Sequence, residues 1–380
     1  MKIMVLTSEL WPVFSGGLGV AVYELIKSFN ENQSHVKFLV GIPRLNWKGD
    51  LDAKIIEAPA RLGYSVYFHN GEPILCWESM KQIYGFNFSL FKACEHEDFD
   101  IIHANDWMTI PAGIMLKEKG HPLVFHVHST EFDRTNNNPR QWVVEMEKLG
   151  AKKADLVIAN SEKTKRQLIE VYGIDGNKIQ VIYNGINVDR FKNGPVKPIR
   201  KSRDKVVLFV GRLTIQKGVW HLLHAARLVV NKDPKIKFVI VGDGPDKNYL
   251  ISLAVKLGLE KHVIFTGKVS DDELLAAYKS SDLFVMPSVS EPFGIVALEA
   301  IASGKPAIIS KTSGVSEIMN HCFKVDYWDT TLTASRIMET LHYAEVKRAL
   351  EKNGRNEVNR FTWSEISSQF EKTYRRLLHA

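Results

Sequence analysis

The sequence predicts an α/β protein with two doubly wound domains, each a parallel sheet covered on both faces by helices. Three observations carry that expectation. Short, β-branched, apolar runs recur along the chain with amphipathic stretches between them. The series breaks once, at a polar and basic stretch, and then begins again. The chain's 380 residues are also too many for a single hydrophobic core.

The first series has strand-like runs at residues 3–6, 36–40, 101–104, 123–127, 156–159 and 181–183. The second has them at 206–210, 238–241, 263–265, 283–286 and 307–309. Each run is apolar throughout and does not alternate, the pattern of a strand buried on both faces. After the first run, Leu18, Ala21, Val22, Leu25, Ile26 and Phe29 recur at helical spacing and predict an amphipathic helix. The break at residues 192–204 holds two prolines, one glycine and five Lys or Arg residues. It predicts an N-terminal domain over 1–192 and a C-terminal domain over 204–360. Residues 361–380 then form a last helix, with Trp363, Ile366, Phe370, Tyr374 and Leu377 on one face. So apolar a face must be buried, and the sequence leaves open against which domain.

Composition narrows the class. Apolar residues make up 45% and charged residues 24%, which argues for an ordinary globular fold and against disorder. A net charge of +7 is modest for this length; it suits an anionic small ligand and does not call for nucleic acid. Cys76, Cys94 and Cys322 show no C-x-x-C spacing, so neither a disulfide framework nor a zinc site is expected, and a reducing cytoplasm is the natural setting. Glu9 closes the first apolar run, which reads as a buried strand and not a signal peptide. No uncharged stretch reaches the ~18 residues of a membrane span. Lys148, Lys152 and Lys153 cluster on a predicted helix, but a solvated helix end accounts for them, and membrane association is not expected.

Four groups of residues carry chemistry. Ser15-Gly16-Gly17-Leu18-Gly19 falls between the first strand and the first helix, where glycine admits a close ligand and the helix start offers unpaired N–H groups. Gly211-Arg212 through Lys217-Gly218 follows the first strand of the second series, so two cations converge in a strand-to-helix loop where α/β folds bind ligands. Arg212 can grip two phosphate oxygens at once, while Lys217 acts as a point charge. Glu291-Pro292-Phe293-Gly294-Ile295 follows the run at 283–286; Pro292 suits the first helical position, which puts Glu291 just before the helix. Glu299 then lies about 12 Å further along the axis. That is beyond the about 5–9.5 Å of a glycosidase carboxylate pair but suits two acids on one long ligand. Glu299 is set among apolar residues, where a carboxylate is costly unless paired. Last, Asp106 follows the run at 101–104, while His126 and His128 end the run at 123–127. Those two histidines share a face, with His128 nearer the edge where ligands collect. Asp98-Phe99-Asp100 has the look of a metal-binding D-x-D, yet it precedes a strand and reads as a turn.

Together these residues resemble the family 4 and glycogen-synthase-like glycosyltransferases. The most specific elements are Glu291-x7-Glu299 combined with Gly211-Arg212 through Lys217-Gly218, supported by His128-Ser129-Thr130-Glu131 and Tyr183-Asn184-Gly185-Ile186. The resemblance implies the GT-B fold, two Rossmann-like domains facing a central cleft. It implies a retaining transferase that moves a hexosyl unit from a nucleotide sugar, of ADP-glucose or UDP-glucose type, to a glycan or other hydroxyl acceptor. No other cofactor and no catalytic metal are expected. Arg212 and Lys217 would hold the diphosphate. Glu291 and the backbone at Gly294 and Ile295 would hold sugar and phosphate, and Glu299 the ribose. Main chain at Gly211, and between Gly267 and Val269, would line the nucleotide. Gly16 and Gly17 would close over the phosphates, and His128 and Asp106 would flank the reacting sugar. Phe14 and Asn105 depart from the glycogen-synthase pattern of Lys and His at those places, which leaves lipid-linked and small-molecule acceptors open. A sugar-nucleotide epimerase of the same architecture is the alternative enzyme. A non-catalytic binder would be expected to have lost Arg212, Lys217 or Glu291.

Overall fold

The structure, a computed structural model, describes residues 1–13, 16–59, 76–193 and 204–379. Phe14, Ser15 and most of the basic break, residues 194–203, lie outside them. The chain divides into two units, Met1–Gly185 with Trp363–Ala380, and Ile186–Thr362.

In the first unit the order is β1 (Lys2–Leu6), α1 (Gly17–Glu31), β2 (Lys37–Ile42), β3 (Lys54–Glu57), α2 (Cys76–Cys94), β4 (Ile101–Asn105), α3 (Ile110–Lys117), β5 (Leu123–Val127), α4 (Glu131–Arg134), α5 (Gln141–Lys153), β6 (Leu156–Ala159), α6 (Glu162–Glu170) and β7 (Ile179–Val181). The strands form a seven-stranded sheet in the order β3-β2-β1-β4-β5-β6-β7, and each pairing is parallel. Strands β4 and β5 are buried along their whole length, as a sheet with helices on both faces requires.

The second unit runs α7 (Val188–Asn193), β8 (Lys205–Val210), α8 (Val219–Lys232), β9 (Ile236–Val241), α9 (Lys247–Lys256), β10 (Val263–Gly267), α10 (Asp271–Ser280), β11 (Leu283–Met286), α11 (Ile295–Ala302), β12 (Ala307–Ser310), α12 (Val315–Ile318), β13 (Phe323–Val325), α13 (Thr330–His342) and α14 (Ala344–Val358). Its sheet is six-stranded and parallel, in the order β10-β9-β8-β11-β12-β13. Phe209, Phe238, Leu283 and Ile308 fill its core. At about 1.5–3 kcal/mol for each fully buried side chain of this kind, such a core opposes the chain entropy lost on folding.

Three expectations need correction. The chain leaves the first unit at Gly185 and not in the basic break at 192–204, because α7 belongs with the second unit: it packs on α11, and the Phe191 ring meets the Tyr278 ring edge-on at 5.9 Å. The strand expected at 181–183 is β7, two residues earlier, with the Ile182 N–H still bonded to Ala159 across the ladder. Two edge strands, β3 and β13, carry lysine and are only partly buried, so they lack the continuous apolar signal.

The final helix, α15 (Trp363–Leu378), docks on the first unit. Tyr374 stacks on Phe29 of α1 at 6.4 Å, and its hydroxyl reaches Nδ1 of the buried His103 at 2.5 Å. Polar contacts at the rim include Asn32 to Ser367 at 3.0 Å and Ser34 to Glu371 at 2.9 Å. Asp98 and Asp100 of the D-x-D triplet are turned to Lys2: Asp98 pairs with its ammonium, and Asp100 accepts from its backbone N–H at 2.7 Å. No helix among the described residues is long and apolar enough to cross a membrane.

Candidate active site

In a doubly wound sheet the chain works outward from one strand, then jumps back and works outward the other way. The loops at that jump diverge and leave a crevice at the strands' C-terminal ends. In the second unit the jump lies between β8 and β11, and the two loops that leave those strands carry the cations and the first glutamate.

The loop after β8 is closed by Gly218, which has φ +60° and caps α8. A Cβ there would stand 2.3 Å from the Pro287 carbonyl, so only glycine lets this loop lie against the one after β11. The Val289 N–H bonds the Gln216 carbonyl at 2.9 Å and ties the two loops together. Lys217 runs past Gly211, the residue before the exposed Arg212. Its ammonium is 2.5 Å from Oε2 of Glu291, which also accepts from the Ser288 hydroxyl at 3.1 Å. The carboxylate is almost wholly buried and the ammonium partly so, with 7% and 20% of the side chains exposed. Water therefore screens this pair weakly, and anything that displaces the carboxylate from the ammonium must be strongly anionic.

Helix α11 begins at Ile295, three residues later than Pro292 implies, because Gly294 turns the chain with φ +108°. Glu291 to Phe293 run instead along the loop after β12, where the Gly314 N–H bonds the Glu291 carbonyl at 3.0 Å and the Val315 N–H the Phe293 carbonyl at 2.7 Å. The start of α11 has no side-chain cap; the Ala297 N–H bonds the Gly294 carbonyl at 3.0 Å, and the N–H groups before it have no intrahelical partner. Glu299 sits on the first turns of that helix, half-buried, and accepts from the Tyr278 hydroxyl at 2.7 Å. Burial and this carboxylate push the phenol well above its ordinary pKa, so Tyr278 stays a donor. Gly267 ends β10 with its carbonyl bonded to the Gly242 N–H at 3.0 Å, and Val269 follows it, half-buried, before α10.

The first unit makes its jump between β1 and β4. Gly16 caps α1, and a Cβ on it would be 2.2 Å from the Glu9 carboxylate, so this helix start faces a side-chain acid. Nothing lies within 4 Å of the Cβ position on Gly17. At the end of β4 Asp106 adopts φ +52°, a costly conformation for a residue with a side chain. The turn brings its carboxylate to the backbone of β5, where it accepts from the His128 N–H at 2.8 Å and from Ser129 at 3.4 Å. The His128 and His126 rings lie together at a tilt of 34°, centroids 3.9 Å apart, and His126 continues to His103 at 3.2 Å. Burial holds His103 and His128 down to about 3 and His126 well below its usual value, so all three are neutral at physiological pH.

Asp106 and His128 are thus brought together, as are Lys217 and Glu291. Residues Glu131 to Arg134, which follow His128 closely in the chain, serve the fold. Glu131 is buried between Arg134 at 3.2 Å and Arg140 at 2.5 Å, and Arg134 also pairs with the buried Glu147. Sequence reading missed Ser288 and Tyr278, the donors to the two glutamates. Ser288 stands three residues before its partner, where a side-chain pair can at least be guessed. Tyr278 comes from another helix and has no local signal.

Burial pushes Asp106 up to about 6, against a pull downward from Arg134. The folded state therefore binds this proton between about pH 4 and pH 6 while the unfolded chain, with an ordinary value near 3.9, does not. Stability from this group falls as pH rises through that window. Asp106→Asn is expected to flatten the slope by up to about 2 kcal/mol between pH 4 and 7, measured by urea midpoints across pH. An unchanged slope would assign the raised value elsewhere.

Two family descriptions match the chain in tandem: Glycosyltransferase Family 4 over residues 15–190 and Glycosyl transferases group 1 over residues 192–357. The chain belongs to the family 4-type glycosyltransferases with the GT-B fold. An uncharacterized glycosyltransferase of Methanocaldococcus jannaschii is 38% identical over 238 residues, which are 59% of this glycosyltransferase and 61% of that relative. The D-inositol 3-phosphate glycosyltransferase of Corynebacterium jeikeium is 26% identical over 324 residues, 78% of this chain and 77% of the relative. Among solved structures, sucrose-phosphate synthase of Thermosynechococcus elongatus superposes with a TM-score of 0.83 at 22% identity, covering 100% of this chain and 99% of that one. Anabaena HepE, solved with UDP and glucose, gives 0.78 at 22% identity over 99% of this glycosyltransferase and 100% of HepE. At such identities the likeness is one of fold.

Proposed function

We propose that this glycosyltransferase moves a hexosyl unit, glucosyl in the first instance, from a nucleotide diphosphate sugar to a glycan hydroxyl with retention at the anomeric carbon. The observation that carries the reading is the meeting of Lys217 and Glu291 at the jump between β8 and β11. A cation and an acid held in contact there can part to take a phosphate and a sugar hydroxyl, respectively. Arg212 shares the diphosphate, the open N–H groups at Gly294 and Ile295 add donors to it, and Glu299 binds the ribose. Main chain from Gly267 to Val269 lies along the base.

When the bond from the anomeric carbon to the phosphate oxygen breaks, its electron pair leaves with the phosphate. Fixed cations stabilise that charge as it forms. The acceptor oxygen attacks from the same face, and its proton passes to the departing phosphate. His128, held neutral, and Asp106, committed to backbone N–H groups, shape the sugar's surroundings without acting as the base.

Side-chain cations do here what a divalent ion does in other transferases, so turnover is expected to persist unchanged in excess EDTA. A loss restored by magnesium would refute that part. The donor and acceptor are tested by incubating the protein with ADP-, UDP- and GDP-glucose and measuring released nucleoside diphosphate, with glycogen, inositol 3-phosphate or no acceptor present. The inositol arm is included because of the names borne by the corynebacterial relatives. Release with none of these donors would overturn the assignment. Donor conversion without a glycosylated product would favour the epimerase.

A further inference from the structure

Asn105 is the last residue of β4, and it is buried although its amide has no place in an apolar core. Each of its groups is engaged. Its Nδ2 donates to the Leu6 carbonyl at the end of β1, 3.1 Å away, and its Oδ1 lies 2.9 Å from Nε2 of His128. Its own carbonyl accepts from the Thr109 hydroxyl at 2.9 Å.

The Leu6 carbonyl can only accept, so the amide nitrogen must face it, and the amide oxygen must then face the imidazole. An amide oxygen also only accepts. Nε2 of His128 therefore carries the ring proton, and Nδ1 keeps a lone pair. Nothing else in the surroundings blurs this assignment. The His126 ring meets that of His128 at a tilt, and the Asp106 carboxylate holds its backbone N–H. The half-buried ring leaves Nδ1 with no hydrogen-bond partner among the described residues.

We propose that Asn105 is a positioning residue that locks His128 in the Nε2–H tautomer, so that Nδ1 is presented as an acceptor for a sugar hydroxyl. A hydroxyl group is the chemistry this nitrogen recognises, since a bare ring nitrogen attracts a donor and repels a phosphate oxygen. The donor sugar and the acceptor glycan both carry such hydroxyls. The activity arm of the test rests on the transferase reading above; the tautomer itself does not.

The tautomer is read directly by nitrogen-15 NMR of the histidine rings in the full chain, with the His128 signals assigned as those lost in His128→Gln. The expected spectrum shows a protonated Nε2 and an unprotonated Nδ1, and the Nδ1 resonance shifts on addition of UDP-glucose or glycogen. In Asn105→Leu the Nδ1–H form becomes populated. In Asn105→Asp, which retains an acceptor, the Nε2–H form persists. With UDP-glucose and glycogen as substrates, Asn105→Leu is expected to lower kcat/KM about tenfold, the size of one hydrogen bond. A rise in the KM of UDP-glucose places the hydroxyl on the donor, and a rise confined to glycogen places it on the acceptor. A protonated Nδ1 in the wild type, or an unaltered tautomer in Asn105→Leu, overturns the proposal. If Asn105→Leu fails to fold, the wild-type spectrum still decides. The expected tautomer in a protein that turns over no nucleotide sugar refutes the transferase reading and spares this one.

Discussion

Replacing Lys217 by methionine is expected to lower turnover about 100- to 1000-fold, the usual loss when one preorganised contact to developing charge is removed. Methionine keeps the length and apolar stem of the lysine, and so retains the passage beside Gly211. It leaves the Glu291 carboxylate buried beside the Ser288 hydroxyl without its ammonium, so stability will drop as well. Glu291→Gln separates the two effects. The amide oxygen still accepts from Ser288 and from the Lys217 ammonium, no carboxylate is stranded, and turnover is still expected to fall about 100-fold or more by the same argument. Steady-state kinetics on both variants, with circular dichroism to confirm folding, decides the matter. Near wild-type rates in either variant would remove the pair from the mechanism.

The largest expected loss of stability belongs to Arg134. Its guanidinium is only 4% exposed and pairs with Glu131 and Glu147, whose side chains are 0% and 3% exposed. It also bonds the Ser129 carbonyl at 2.9 Å and hydroxyl at 2.7 Å. Arg134→Met leaves Glu131 with Arg140 and deprives Glu147 of its cation. Stranding a buried charge costs about 3–5 kcal/mol. The double variant Arg134→Met with Glu147→Met removes both ends of that pair and is expected to recover much of the loss. Urea midpoints of the two variants test the account. A double variant as unstable as the single one would place the cost in lost packing and not in the uncompensated carboxylate.

These two arginine and lysine sites also mark the limits of reading a sequence. Strands such as β5, β6 and β11 were legible to the residue, because a strand buried on both faces must be apolar throughout and the turns that bound it are polar. Helix α15 was equally legible from its amphipathic spacing. The Lys217 and Glu291 motifs were recognisable, yet their contact depends on strand order, which puts residues 74 apart in sequence into one crevice. Strand order is written in long-range packing and leaves no local trace. Pro292 misled for a local reason: proline is compatible with a first helical turn, but Gly294 bends the chain after it and delays the helix. Arg134 is illegible for a different reason. It lies close in sequence to a candidate histidine, and only the fold shows it buried against Glu131 and Glu147. The boundary between the units was misplaced because a basic, proline-containing stretch looks like a linker. Phe191, the apolar residue that commits α7 to the second unit, comes before that stretch.

The placement of α15 bears on how the protein is made. Tyr374 and Phe370 complete a core whose other members, Phe29 and His103, are synthesised far earlier. The first unit is thus assembled from two pieces of chain with the whole second unit between them. Domains generally fold as they emerge during synthesis, but here the earlier one must wait with an apolar groove open until the later one has been translated. Nascent chains halted before residue 363 should accordingly bind a hydrophobic dye and be cut by protease within the first unit, and adding α15 should end both.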